Sequence, residues 1–443
     1  MSANTARDTP VKDYLKKGSL ILAVAVIAGF ALDYIFNLTL SRALPSHEYG
    51  DYKVAFAFAT ITSVLSLLGG DRVAPLILSG PLSQGDNRSV WEFLRFYLLI
   101  TAALSLLVII GTALASYWHI GSTDLEHHHP LLLMSLAIPL ISIGALLSRI
   151  LQAAKLLALS NLPWRIGLPL LKTLLVLLLV ATLAEVELWH VVASGITAVC
   201  LIISWQWYKI RQLNLIQLQR APGSFTGNKL LKLSVPMMMA MLITLALNQI
   251  DLFLLEVLAP EHEVGLFAAA ATTSHILPVV QTTIAGLFLP LIGPALEGSA
   301  GRARGLFWQG QKLITASILF LLIALIFAGS WLLSFFGQDY LQAEQALIYL
   351  ALAYALWGLA AFASTWLQYA NKGSYVIRIG CATLAIDAGL NFWLIPLYGI
   401  NGAALATLIA MAFAALMTWG VYYRLIGRHA DKAIDDNSAI KAK

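Results

Sequence analysis

The sequence predicts an all-α polytopic membrane protein: twelve transmembrane helices in two six-helix bundles, with both termini cytoplasmic. Three observations carry that reading. The 443 residues are 59% hydrophobic and only 12% charged, half the roughly 25% of soluble domains, and the mean hydropathy is +0.79. Apolar runs recur that reach the about 20 residues needed per bilayer crossing. A shift of 215 residues then lays the first half over the second.

The elements follow in order. The opening MSANTARDTPVKDYLKKG is polar for eighteen residues, and the apolar run behind it is too long for the core of a signal peptide. Residues 1–17 therefore read as a cytoplasmic tail and 18–42 as the first span. The loop LPSHEYG (Leu44–Gly50) leads to span 53–78, and SGPLSQGDN supplies turn chemistry before 91–116. Spans 130–152, 163–184 and 187–209 complete an N-terminal half over 18–209. A cytoplasmic linker, 210–228, contains APGSFTGN, and the C-terminal half over 229–425 carries spans 229–258, 264–290, 311–336, 344–370, 374–396 and 401–425. Residues 426–443 form a second cytoplasmic tail.

Positive charge fixes the orientation. Arg88, Arg95, Arg149, Lys155, Arg165, Lys209, Arg211, Arg220, Lys229, Lys232, Arg302, Arg304, Lys312, Lys372 and Arg378 fall in or beside alternate loops, and both tails are basic. The intervening loops carry Asp124 and Glu126, Glu185 and Glu187, Glu261 and Glu263, Asp339 and Glu344, with only Arg42 and Lys53 beside an external loop. The excess of Lys and Arg marks the cytoplasmic side, and an even helix count returns the C-terminus to it. This bias accounts for the net charge of +5 without a nucleic-acid partner.

In the repeat, Phe30–Gly50 lies over Leu245–Gly265 with eight of 21 positions identical and no gap. Chance explains matched leucines in apolar helices, but poorly explains a matched Pro-x-His-Glu-x-Gly loop (Pro45–Gly50, Pro260–Gly265). Both first helices run outward, which makes the repeat parallel, with halves related by an axis along the membrane normal. The twice-written loop reads as the trace of an internal duplication, its Pro and Gly suiting an outer turn.

Enzyme signatures are missing: the sequence has no G-x-x-x-x-G-K-[ST], no H-E-x-x-H and no G-x-S-x-G. The run EHHHP (Glu126–Pro130) reads as a solvated loop rather than a metal site, and Cys200 and Cys381, both in apolar segments, as small packing residues. The methionines Met237–Met239 and Met241 read as packing. No metal and no cofactor is expected.

The informative residues are ionisable groups inside the spans, where a central charge costs roughly 2.5–3.5 kcal/mol on insertion scales and faces a cavity or a partner. Asp33 lies sixteen residues beyond Lys17, about 24 Å along a helix at 1.5 Å per residue, in the outer half. Asn37 and Ser41 extend a polar stripe from it, and its repeat mate is Asn248, with Asp251 one turn on. Asp387 lies nine residues beyond Arg378, and the 215-residue shift sets it over Lys172. Asp71 and Arg72 follow LGG near the cytoplasmic end of the second span. For Arg72, Arg149 and Arg378, snorkelling to headgroups competes with a lumen role. For Asp33, Asp251, Asp387 and Lys172, a buried structural pair competes with a cavity-lining role.

Four segments resemble the polysaccharide (Wzx-like) flippases of the multidrug/oligosaccharidyl-lipid/polysaccharide (MOP) exporter superfamily. They are LSRALPSHEYGDYKVAFAF, LGGDRVAPLIL, LSVPMMMAMLITLALNQIDLFLLEVLAPEHEVGLFAAA and LNFWLIPLYGINGAALAT (Leu390–Thr407), the last being the most specific. The chain departs from the family pattern at His47 and Phe267. The resemblance implies a V-shaped bundle with a cationic lumen. It would move undecaprenyl-diphosphate-linked oligosaccharide from the cytoplasmic to the periplasmic leaflet of the bacterial inner membrane, for O-antigen, capsule or exopolysaccharide assembly. Arg42, Arg72 and Asp251 match family motif positions; Lys172, Asp33 and Asp387 rest on the residue reading.

The resulting expectation is a transporter, not an enzyme. Arg42, Arg72, Arg149, Lys172 and Arg378 would bind the diphosphate, and Asp33, Asp251 and Asp387 would couple an ion. Expected partners are the lipid-linked glycan, membrane lipids, H+ or Na+, and polymerase and other assembly proteins. The alternatives are a multidrug or other amphiphile antiporter of the same superfamily and, from another class, a membrane polysaccharide polymerase or ligase. The antiporter should have an acidic lumen, and the polymerase a long external loop with catalytic Arg or His.

Overall fold

A computed structural model describes residues 5–118, 130–217, 225–296 and 300–427. The EHHHP run before Pro130, Asp124 and most of the C-terminal tail lie outside them. No strand occurs among the described residues. The helices are α1 (Thr5–Ala43), α2 (Ser46–Ser66), α3 (Gly70–Gln84), α4 (Asn87–Tyr117), α5 (Leu131–Ser135), α6 (Ala137–Ala153) and α7 (Leu157–Leu162). After a π-helical turn, Pro163–Gly167, come α8 (Leu168–Thr182), α9 (Leu188–Gln212), α10 (Gly227–Leu258), α11 (Glu261–Ser274) and α12 (Ile276–Leu296). They are followed by α13 (Ala300–Ser334), α14 (Glu344–Tyr369) and α15 (Gly373–Tyr422).

Ten helices among the described residues are long and apolar enough to cross a membrane, or eleven if α2 and α3, bent by 45°, count as one span. The bend was not foreseen in the single run 53–78. Leu68 and Gly69 both take positive φ there, 46° and 78°, and a Cβ on Gly69 would strike the carbonyl oxygen of Ser234 in α10. Only glycine meets both demands without strain.

The 50 residues of α15 would stretch about 75 Å as one straight helix, more than twice the roughly 30 Å hydrocarbon core. Pro396 and the non-helical Gly399 (φ 56°, ψ −133°) break it into two arms. A Cβ on Gly402 would strike the carbonyl of Leu394, so this glycine lets the returning arm close on the first. These are the proline and glycines of the most specific motif in the sequence.

The chain forms two compact units. One comprises Ala31–Glu256 with Pro260–Gly265; the other comprises Met1–Phe30, Val257–Ala259 and Leu266–Lys443. In the first, the core runs through Val73, Leu78, Phe93, Leu94, Leu146 and Ile150, all fully buried. Both copies of the repeated loop lie in this unit, and their glycines meet: a Cβ on Gly50 would come within 2.8 Å of the Gly265 amide nitrogen. A Cβ on Gly265 would strike the carbonyl of Ser46. The second unit is knit by aromatic rings, with Phe307 stacked on Tyr422 at 4.5 Å and on Phe362 at 5.6 Å between centroids.

Candidate functional site

The charged groups of the first unit gather in two clusters. One is built on α1, α2 and α8. Asp33 and Asn37 are one helical turn apart, so they share a face, and the Asn37 amide donates to the Asp33 carbonyl at 2.7 Å and to its carboxylate at 3.2 Å. Tyr49 and Lys53 have the same spacing on α2, and both donate to Asn37 Oδ1, each at 3.1 Å. Asn37 is only 2% exposed, and these bonds use its carbonyl oxygen and its amide, as burial of a polar group demands.

Lys172 of α8 completes this cluster. It is 5% exposed, and its Nζ lies 4.1 Å from the Phe36 ring centroid and 4.9 Å from that of Phe56. Two aromatic faces hold the ammonium through their quadrupoles. Among the described residues no side chain or carbonyl accepts a hydrogen bond from it. Its charge interacts with Asp33, as does that of Lys53. Two ammonium groups, those of Lys53 and Lys172, thus act on the one carboxylate of Asp33.

The other cluster gathers on α3, α6 and the π-helical turn. Asp71 stands in the first turn of α3, where the helix dipole favours an acid, and its Oδ2 lies 3.1 Å from Arg72 Nε. The other carboxylate oxygen of Asp71 is buried without a hydrogen-bond partner among the described residues. The Arg72 side chain remains 29% exposed, although its Nε is buried. Arg149 donates to Gln152 at 2.6 Å and interacts electrostatically with Arg72, Asp71 and Arg165. Three guanidiniums thus stand against one carboxylate, and the planar fork of arginine is of a kind that matches phosphate oxygens bidentately.

The remaining expected residues stand elsewhere. Asp251 is buried on α10 in the first unit. Asp387, 0% exposed, lies on the first arm of α15 in the second unit. Asn391 donates to the Asp387 carbonyl at 3.0 Å and to its carboxylate at 3.2 Å, the same one-turn pairing as Asp33 and Asn37. Arg42 is exposed in the last turn of α1. Arg378 is exposed, with its guanidinium 5.6 Å from the Tyr375 ring.

The structure thus joins Lys172 to Asp33 and Arg72 to Arg149, but it does not bring Lys172 to the arginines. Lys53, read only as a loop flank, and Arg165, read only as a loop charge, are the members that sequence reasoning missed. The one-turn Tyr49–Lys53 spacing beside the repeated loop was the available signal for the first. Also unforeseen, His275 at the break between α11 and α12 faces the Tyr354 hydroxyl at 3.0 Å. No group of three or more His, Cys, Asp or Glu stands where it could hold a metal among the described residues.

The family model described as "Polysaccharide biosynthesis protein" matches residues 15–294. In fold, the chain is similar to an inward-facing multidrug resistance MATE family transporter of the MOP superfamily, at TM-score 0.77 and 13% identity, over 93% of this chain and 99% of that one. It is also similar to the lipid II flippase MurJ in an inward closed conformation, at TM-score 0.71 and 16% identity, over 91% and 87%. A MATE protein in a bent conformation gives 0.63 and 14%, over 95% and 97%. At these identities the likeness is one of fold alone. No curated protein sequence matches the chain. The chain belongs to the polysaccharide biosynthesis protein family.

Proposed function

We propose, from that family membership, that this protein is a flippase for polyprenyl-diphosphate-linked oligosaccharide. It moves its cargo from the cytoplasmic to the periplasmic leaflet of a bacterial inner membrane and so feeds O-antigen, capsule or exopolysaccharide assembly. The observation that carries the reading is the Arg72–Arg149–Arg165 cluster in a chain of this family. Dehydrating sugars and phosphates into hydrocarbon is prohibitive, so the cargo needs a polar route, and guanidiniums supply fixed partners for the diphosphate.

In this reading α2 with α3 forms one bent span and the two arms of α15 are separate spans, which gives the twelve expected from the sequence. The halves, 18–209 and 229–425, are then the rocking bodies of alternating access. Arg42 and Arg378, exposed in the structure, contact cargo at the ends of the route. Asp33, Asp251 and Asp387 exchange H+ or Na+. A charge moved across 100 mV releases about 2.3 kcal/mol, a drive without ATP. Lys172 acts here as the resident counter-ion of Asp33 rather than as a direct diphosphate ligand. Polymerase and other assembly proteins would take the cargo onward.

A second reading, export of amphiphilic drugs, is favoured by the fold likeness to MATE transporters. The three guanidiniums set against the one carboxylate of Asp71 argue against a cationic cargo. Deleting the gene separates the two. The flippase reading expects lipid-linked glycan retained on the cytoplasmic face and loss of surface polymer. Normal polymer with a gain in drug sensitivity would replace it with the second reading.

A further inference from the structure

An apolar cavity of about 530 Å³ opens on the first unit beside the π-helical turn. Leu162, Pro163, Ile166, Leu171, Leu201 and Trp205 line it. The volume lies within the roughly 300–1,000 Å³ of ligand clefts, and the proposed mechanism leaves the cavity unused. Leu201 at its rim is 51% exposed, so the crevice is open from outside.

Two features set it apart from ordinary lipid-facing surface. It is preformed: an inward tryptophan pins the π-helical turn. A Cβ on Gly144 would collide with the Trp164 ring, and the Trp164 indole donates at 2.9 Å to Gln206. Gln206 is fully buried and itself donates to Ser148 at 3.0 Å. The turn, α6 and α9 are therefore locked together, and π-helical insertions of this kind frequently mark functional sites. The crevice also adjoins the cationic cluster. Arg165 sits on the turn between Trp164 and the lining residue Ile166, is exposed, and interacts with Arg149. An apolar slot beside three guanidiniums is complementary to an amphiphile with a long apolar chain and a multiply charged anionic head. A phospholipid phosphodiester brings one negative charge, whereas a diphosphate brings more.

We propose that this crevice binds the polyprenyl chain of a polyprenyl diphosphate, with Arg165 at its mouth directing the diphosphate towards Arg149 and Arg72. The proposal rests on the flippase reading and deepens it. It assigns the chain a berth on the outside of the bundle while the head group enters the polar route.

The full chain in detergent is tested by native mass spectrometry with undecaprenyl diphosphate and, separately, phosphatidylglycerol. Leu201→Trp fills the slot from its exposed rim, and Arg165→Gln removes the charge at its mouth. The expected result is stoichiometric undecaprenyl diphosphate on the unaltered protein, weakened about tenfold or more by either change, with phosphatidylglycerol binding unchanged. Equal retention by both variants overturns the proposal. So does displacement by phosphatidylglycerol at equal concentration, which makes the crevice an annular phospholipid site. Neither outcome touches the flippase reading, which in this experiment fails if the unaltered protein binds no undecaprenyl diphosphate. Independently of any variant, a diazirine-bearing polyprenyl diphosphate should label the unaltered protein within 162–171 and 201–205. Labelling confined to other segments overturns the proposal.

Discussion

The two charged clusters of the first unit are built on opposite principles. Around Asp33 the partners are internal: Asn37 is bonded on both sides, Tyr49 and Lys53 converge on it, and Lys172 lies against two rings. Around Arg72 the partners fall short: guanidiniums outnumber carboxylates three to one, and an oxygen of Asp71 is buried without a partner among the described residues. A network bonded from within holds its geometry, whereas a cluster with fewer internal bonds leaves its polar groups to a ligand. In the proposed reading, coupling belongs to the first and cargo binding to the second.

The sharpest way to break the comparison is charge reversal. Arg72→Glu or Arg149→Glu should abolish surface polymer at normal protein levels, because each replaces a proposed phosphate partner with a repulsive charge. Export at the unaltered rate, measured by polymer blotting, would remove that residue from the cargo site. Next, Asp33→Asn and Lys172→Met should each slow export and flatten its dependence on the proton or sodium gradient. In a double-mutant cycle on stability they should show a coupling of about 0.5–3 kcal/mol, as neighbours in one network do. A coupling near zero would dissolve the cluster, and a comparable coupling between Asp33 and Arg72 would merge the two.

A smaller effect concerns the frame. Tyr49 and Lys53 reach Asn37 from α2, whose first turn packs on Gly265 through Ser46 and Gly50. Gly265→Ala overpacks that crossing and should cost about 1–3 kcal/mol, read as a lower melting temperature, while phosphate-head binding at the arginines persists. Smallest is a cap outside both clusters. Asp86 accepts from the Ser89 amide at the start of α4, and its carboxyl is held below the ordinary range, chiefly by the Ser89 side chain. A lowered carboxyl adds stability that is present above the unfolded-state pKa and lost as pH falls through the folded one. Asp86→Ala should therefore lower stability slightly at neutral pH and remove a little of its acid sensitivity, measured by melting at stepped pH.

Much of the architecture was legible because membrane helices announce themselves locally. Pro396, Gly399 and Gly402 stood in the most specific motif, and the structure gives each a steric reason. The matched loops were legible as a repeat, but not that Gly50 and Gly265 would meet, since that contact joins positions 215 apart. The site was legible in its residue types and illegible in its pairing. Asp33–Asn37 and Asp387–Asn391 are one-turn pairs that any helix brings together. Lys172 reaches the Asp33 cluster only through the packing of three helices, and nothing in spacing separates that from a berth beside Arg72. The bend at Leu68–Gly69 was missed for a similar reason: the steric demand comes from Ser234, far along the chain.

The most direct test of cargo transport is a flipping assay with purified protein in liposomes containing polyprenyl-diphosphate-linked oligosaccharide. Glycan accessible to an external probe is followed after an ion gradient or voltage is imposed. The account predicts that the unaltered protein exposes the inner-leaflet pool and that Arg72→Glu leaves it at the protein-free rate. An unaltered protein no faster than empty liposomes under every gradient would contradict it.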